Sequence, residues 1–317
     1  MIADPFGDTA AALAAELGAQ TTRDPESVAT DSSLDAVVIA SPDETHASLT
    51  RAAMAAGLRV LCEKPLATTV ADAQAVVDAE VALGQRVVQL GFMREYDMAH
   101  RQLVDAIAGD IEGGSQIQLM RSLHRNTSPE PRTDLAVVGQ SGVHDIHSIR
   151  FITGQEIEAV TAYATRRGDG SLRHIVLMCE LAGGGHAMVE FDDDGFGYEV
   201  AVDVTIGSAT VSTAAPARPI ERRNASVATN IGRDWFGWFA DAYRTQDAAW
   251  VDSLSAPAAF GPSAWDGLVA QIVVHAALTS LDQGGRVAVD LPAWPDLFGS
   301  TRDRIVASAE AAERDLA

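Results

Sequence analysis

Lysine is all but missing from this chain: the 23 basic residues among 317 are 22 arginines and a single lysine, Lys64. A guanidinium keeps its proton in proteins, whereas an ammonium releases one when burial or neighbouring charge favours it. The lone exception sits in Val60-Leu61-Cys62-Glu63-Lys64-Pro65-Leu66-Ala67, at the end of an apolar run. A general drift toward Arg would leave a survivor anywhere, so the surroundings of Lys64 have to decide between accident and use. Cysteine is nearly as scarce. Cys62 and Cys179 are too few and too far apart for a disulfide scaffold or a clustered zinc site, and both read as small buried hydrophobes. No run of eighteen apolar residues occurs, and the first residues lack the basic-then-apolar layout of a secretory leader, so a cytoplasmic protein without a membrane segment is expected. A formal net charge of -21 argues against nucleic acid or an anionic membrane as partner, since both attract Lys and Arg.

What is present is ordinary globular material, 47% hydrophobic and 21% charged, and long enough for two domains. Up to Gly91 short apolar runs alternate with helix-period segments. Ala36–Ala40 and Arg59–Cys62 read as strands buried on both faces, and Val87–Leu90 as another. Thr9–Leu17, Asp43–Ala56 and Val70–Leu83 read as helices stopped by Gly18, Gly57 and Gly84. This is the rhythm of crossover units on a parallel sheet. Beyond Gly91 strands dominate: Gln116–Ser122, Ala159–Thr165, His174–Glu180, His186–Phe191, Tyr198–Ile206 and Ala209–Ser212. Helices are expected at Tyr96–Ala108, Gly142–Ile152, Trp235–Leu254 and Ser263–Gln283. The pattern predicts a mainly antiparallel sheet with helices on one face.

Ligands of open parallel sheets bind at the carboxyl ends of the strands. Asp4, the run Ser41-Pro42-Asp43-Glu44-Thr45-His46, and Glu63-Lys64-Pro65 stand at such ends. A carboxylate placed like Asp4 accepts hydrogen bonds from ribose hydroxyls in dinucleotide folds, although Asp is also common ahead of any helix. Later in the chain, His144 and His147 lie three apart on one expected helix, so both can face one side. A structural histidine is the plain reading of each, and a metal site lacks an identifiable third ligand well separated from Asp145 and the two His. His124, Arg125 and Asn126 end a strand, a suitable place for donors to sugar hydroxyls. Arg94 enters the helix after Gly91.

Together, Cys62-Glu63-Lys64-Pro65-Leu66-Ala67, Ser41-Pro42-Asp43-Glu44-Thr45-His46, Gly91-Phe92-Met93-Arg94, His124-Arg125-Asn126, Gly142-Val143-His144-Asp145-Ile146-His147 and Gly261-Pro262-Ser263-Ala264-Trp265-Asp266-Gly267 resemble the Gfo/Idh/MocA family of oxidoreductases. The wording is nearest to its inositol 2-dehydrogenase-like members and covers essentially the whole chain. The resemblance implies a Rossmann-like parallel sheet over residues 1–92, followed by a mainly antiparallel open-sheet domain for substrate binding and oligomerisation over 93–317. It implies hydride transfer between NAD and a secondary alcohol of a polyol or sugar, in a homo-oligomer. Lys64 takes the family's lysine position and His144 its catalytic histidine. Asp4, Ser41, Pro42, His46, Glu63 and Lys64 fall to the cofactor; Arg94, His124, Arg125, Asn126 and Asp145 fall to the substrate. Asp4 favours NAD over NADP, because a carboxylate repels a 2'-phosphate.

Two departures stand against that pattern. The family's first strand and Gly-x-Gly-x-x-Gly turn are missing before Asp4, which reads as an N-terminal truncation of the dinucleotide domain. Gln140 replaces an Asp that many members carry four residues before the catalytic histidine, and His147 replaces another Asp. The proton relay is then either rewired through His147 and Asp145 or weakened. A non-catalytic sugar-binding or oligomer-forming relative is the alternative reading, and a third keeps the fold for another sugar acid or amino sugar.

Overall fold

The computed structural model describes residues 1–128, 130–213, 220–223, 226–229, 232, 234–256 and 261–299, so the last part of the expected second domain, from residue 300, lies outside the described residues. It contains two compact units. The first holds residues 1–91, 248–268 and 294–298. Among the described residues, the second holds those of 92–247 and 269–293, with 299. The sequence reading counts 248–268 and 294–298 with the second domain; their contacts put them in the first unit.

In the first unit β1 (Ile2–Ala3) pairs in parallel with β2 (Thr21–Thr22), joined by α1 (Asp8–Leu17), which ends on Gly18 in the left-handed conformation (φ 65°). The short α2 (Pro25–Ala29) starts at Asp24, whose carboxylate accepts the Glu26 and Ser27 N–H groups. A separate parallel sheet runs in the order β3 (Ala36–Ile39), β4 (Arg59–Cys62), β5 (Val88–Leu90). Its crossovers are α3 (His46–Ala55), entered through a 3-10 turn at Asp43–Thr45, and α4 (Val70–Leu83). Thr69 caps α4 by accepting the Asp72 N–H at 3.1 Å while donating its own hydroxyl to the Asp72 carboxylate at 2.6 Å. β4 and β5 are sealed in the core, as a central parallel strand requires. β3 is different: Val38 is 55% exposed, so this strand is not covered on both faces as its apolar run suggests. The reason lies in the pairing, since β3 is an edge of its sheet and no hydrogen bond joins it to β1 or β2. Segment 261–262 closes on the far edge, where Pro262 O accepts the Leu90 N–H and Gly261 O accepts from Arg86.

The second unit is built on a seven-stranded sheet. It holds β6 (Ile117–Thr127), β7 (Ile157–Arg166), β8 (Leu172–Leu181), β9 (His186–Asp192), β10 (Asp194–Ile206) and β11 (Ala209–Ser212). A hairpin, β12 (Ile220–Arg223) with β13 (Ser226–Thr229), stands apart, and β14 (Arg286–Ala288) completes the large sheet. The order is β11-β10-β6-β9-β8-β7-β14, with β6 and β9 parallel and the other neighbours antiparallel. Helices α5 (Met98–Glu112) and α7 (Val143–Thr153) pack on it. Before α7 come α6 (Asp134–Ala136) and a π-helical turn over Val137–Gly142, which the sequence does not announce. The long helices α8 (Phe236–Ser253) and α9 (Ala264–Gln283) contribute residues to both units. By length and composition α9 could cross a bilayer, but 72% of that stretch is buried inside the fold, the mark of a core helix.

Candidate active site

The strand ends of the first unit carry the residues singled out from sequence. Asp4 follows β1 directly, half-buried, with Oδ1 accepting the Phe6 N–H at 2.8 Å. Glu63 and Lys64 follow β4, both half-buried. The Glu63 N–H continues the sheet onto Ile39 O at 2.8 Å, and its carboxylate turns back to accept the Lys64 N–H at 3.2 Å. That carboxylate lies over the backbone of Gly91, where an added Cβ would sit about 3.0 Å from it, so any side chain at residue 91 would push the Glu63 carboxylate aside by a few tenths of an ångström. Cys62, one residue earlier, is sealed in the core, and burial pushes its thiol up to about 12; it takes no part as a nucleophile. His46 opens α3, and both its ring nitrogens face main-chain oxygens: Nδ1 to Pro65 O at 2.7 Å and Nε2 to Ser41 O at 2.8 Å. The structure thus gives His46 to the protein's own loops rather than to a ligand.

A dinucleotide can be tested against these groups. The carboxylate at the end of β1 suits ribose hydroxyls, and the half-buried Lys64 turn at the end of β4 suits the reacting end. For the pyrophosphate, the sequence given has no Gly-x-Gly-x-x-Gly turn. The fit holds for the ends of the cofactor that these residues reach.

In the second unit a buried polar network forms around Asp145, which is 0% exposed. β6 turns Ser122 and His124, two residues apart, to the side on which α7 packs. Asp145 Oδ1 accepts from Arg94 Nη1 and from Ser122 Oγ, each at 2.7 Å, and Oδ2 accepts from His124 Nδ1 at 2.7 Å. Arg94 Nη2 also approaches His124 Nδ1 at 3.2 Å, but a nitrogen that donates to the carboxylate cannot accept from a guanidinium, so the shorter bond defines the pair. Burial alone would raise the Asp145 pKa; the Arg94 charge first, then His124 and the hydrogen bonds, outweigh it and hold the carboxyl well below its usual range. Burial lowers the pKa of His124 against the pull of Asp145. Tyr198 borders the same network, and burial moves its hydroxyl up to about 12.

This arrangement separates residues that the sequence groups together. Arg94, His124 and Asp145 meet, but Arg125 points to the opposite face of the sheet, where it pairs with Glu199 and lies over the Phe196 ring. Asn126 donates to Ser141 Oγ at 3.3 Å, an oxygen that also receives Arg132 Nη2 at 3.1 Å. His144 and His147 do share one side of α7, and both meet Phe92: His144 edge-on at 6.2 Å, His147 stacked at 3.9 Å. His147 Nε2 is bound to Glu95 Oε1 at 2.8 Å, and Asp145 has its oxygens filled by other donors. Gln140 is exposed on the π-helical turn. Ser122, Glu95, Arg132, Ser141 and Tyr198 were missed in the sequence; the alternation of β6 that brings Ser122 beside His124 is the one signal that was available for any of them.

Known proteins share this organisation. A family model described as an oxidoreductase family with an NAD-binding Rossmann fold matches residues 1–92. Inositol 2-dehydrogenase 3 of Saccharopolyspora erythraea is 36% identical over 304 residues, spanning 94% of this chain and 89% of that protein. The inositol 2-dehydrogenase of Rubrobacter xylanophilus is 35% identical, spanning 94% of this chain and 87% of its own length. Among solved structures, a myo-inositol dehydrogenase from Lactobacillus casei in complex with NAD(H) and myo-inositol superposes with a TM-score of 0.87. It is 25% identical and covers 94% of this chain and 91% of its own.

Proposed function

We propose that this chain, which belongs to the Gfo/Idh/MocA family of oxidoreductases, oxidises a secondary alcohol of inositol or a related polyol with NAD as cofactor. The observation that carries the chemistry is the only lysine of the sequence, Lys64, set at the carboxyl end of β4 beside Glu63. Oxidation of a secondary alcohol removes a hydride from carbon and a proton from the hydroxyl. Bound NAD supplies the hydride acceptor. The chain has to receive the proton, and Lys64 and His144 are the groups assigned to it, by position and by likeness to the family. Asp4 would hold the adenosine ribose and disfavour a 2'-phosphate, which selects NAD over NADP. Ser41, Pro42 and Glu63 would frame the other strand ends.

For the substrate, Arg94, His124 and Asp145 act as one buried block that fixes the wall beside them, and Asn126 is the sequence-assigned donor for sugar hydroxyls. Arg125, on the other face of the sheet, is withdrawn from that role. We place the protein in the cytoplasm as a homo-oligomer. Its copies would join through the sheet face that carries Leu123, Val176, Met178 and Met188, opposite the side of Ser122 and His124.

The alternative is a sugar-binding or oligomer-forming relative without cofactor. Titration with NADH, followed by tryptophan fluorescence, separates the two. Saturable quenching together with NADH production from myo-inositol and NAD supports the dehydrogenase. Polyol binding by calorimetry with no response to NADH supports the second reading and ends the first for this chain.

A further inference from the structure

We propose that His46 is a positioning residue for Lys64, tying the carbonyl of Pro65 to the carbonyl of Ser41 across the ends of β3 and β4; this rests on the reading of Lys64 as the proton-exchanging group. The ring is 1% exposed. Nδ1 lies 2.7 Å from Pro65 O and Nε2 2.8 Å from Ser41 O, and a carbonyl oxygen only accepts. Both polar atoms of the side chain face main-chain acceptors of the same unit, and since a neutral imidazole carries one N–H the two bonds form together only on the doubly protonated ring; the imidazole acts through what it holds.

What it holds is the turn that carries Lys64. The Lys64 N–H is taken by the preceding carboxylate of Glu63, and Pro65 has no N–H to offer. The carbonyl of Pro65 is thus the one hydrogen-bonding group through which that residue can be anchored, and His46 takes it from a different loop. The other end of the ring grips a segment that is already bound to itself: Ser41 Oγ meets Thr45 Oγ1 at 2.6 Å, and Thr45 Oγ1 donates to Pro42 O at 2.7 Å. The Ser41 bond orients the ring against this loop, while the bond from Nδ1 to Pro65 O holds the turn itself, so the place of Lys64 depends first on the Nδ1 contact.

The composition of the chain supplies the probe. Reductive methylation with 13C-formaldehyde labels two kinds of amine, the N-terminus and lysine, so the protein shows a single lysine signal by NMR, that of Lys64. An asparagine amide takes the place of Nδ1 and keeps the bond to Pro65; a glutamine amide reaches the place of Nε2 and keeps the bond to Ser41. His46→Asn should leave the Lys64 resonance and its titration midpoint where the wild type has them. His46→Gln and His46→Ala should both displace the resonance and move the midpoint by about half a pH unit or more, the size expected when an ionisable group changes its surroundings. The proposal is overturned if His46→Gln matches the wild type, if His46→Asn is displaced as far as His46→Ala, or if no variant moves the signal. Circular dichroism checks the fold. If His46→Ala does not fold, the Asn and Gln variants decide between themselves; if none of the three folds, His46 is a structural residue and the proposal fails. The measurement needs neither cofactor nor turnover, so a negative NADH titration leaves it intact.

Discussion

In the first unit Lys64, Glu63 and Asp4 sit half-buried at the carboxyl ends of short parallel strands; in the second, Arg94, His124 and Asp145 have left solvent altogether. In the first group the carboxylates of Asp4 and Glu63 accept local hydrogen bonds, from N–H groups one or two residues away. Those of the second span 21 to 51 residues and draw on β6, α7 and the 3-10 turn at Met93–Tyr96. A group at a strand end depends on the backbone that presents it and stays close to water. A group in a buried network depends on every partner, because each charge removed from water is offset only by the others. Substitutions in the two groups should therefore fail in different ways: loss of turnover at the strand ends, loss of the fold in the Asp145 network.

The largest effect is expected at Asp145. Asp145→Ala leaves the Arg94 guanidinium buried without its carboxylate, and breaking a buried pair from one side removes about 3–5 kcal/mol of stability. Denaturant unfolding measures it. Arg94→Met combined with Asp145→Leu should recover part of the loss, since no lone charge remains. The acid limb gives a second test. The native pKa of Asp145 is held below its unfolded value, so its contribution is complete above the ordinary carboxylate range and fades as pH falls through the native value. Wild-type stability should decline between about pH 4 and pH 2, and Asp145→Asn should flatten that decline. An Asp145→Ala protein of wild-type stability would remove the distinction between the two units.

Lys64 should show the opposite profile. Lys64→Arg keeps a half-exposed cation in place and removes the proton that can be exchanged, so unfolding should hardly change. Polyol oxidation should fall by about 100-fold or more, the scale of general acid-base catalysis. Turnover at the wild-type rate in Lys64→Arg would end the assignment of Lys64 to the chemical step.

The same contrast governs how much of the molecule could be read in advance. Arg59–Cys62 and Val70–Leu83 emerge with the bounds expected, because Thr69 and Gly84 mark the helix and the run before Glu63 is uniformly apolar. Strand-end residues follow from such elements by counting along the chain. α2 went unread although Asp24 and Pro25 form a helix start, since five residues are too few for a hydrophobic period. β3 read as fully buried because an apolar run does not reveal which strands will flank it. In the second unit, β6 and α7 were found, but not that Ser122 and His124 would both meet Asp145. That meeting depends on the register of a strand against a helix more than twenty residues away. The separation of His124 from Arg125 follows from strand alternation alone, and could have been read from the sequence.

The smallest and most discriminating effect concerns the two histidines of α7. They share Phe92, and His147 is held besides by Glu95, whose Oε1 lies 2.8 Å from its Nε2, with its ring flat on the phenyl at 3.9 Å. A ring stacked and bonded in this way supports the packing of α7 against the Met93–Tyr96 turn. Its removal should lower stability by about 1 kcal/mol, the typical contribution of one hydrogen bond, with a similar amount from the ring contact. His147→Ala is therefore expected to change polyol oxidation less than about 10-fold, below the range of a lost acid-base group. His144→Ala should fall within that range, about 100-fold or more, with little change in unfolding. Steady-state rates on the two variants, each alongside its unfolding curve, decide the matter. Equal losses of turnover, or a larger one at His147, would transfer the imidazole function to His147 and make its bond to Glu95 part of the chemistry.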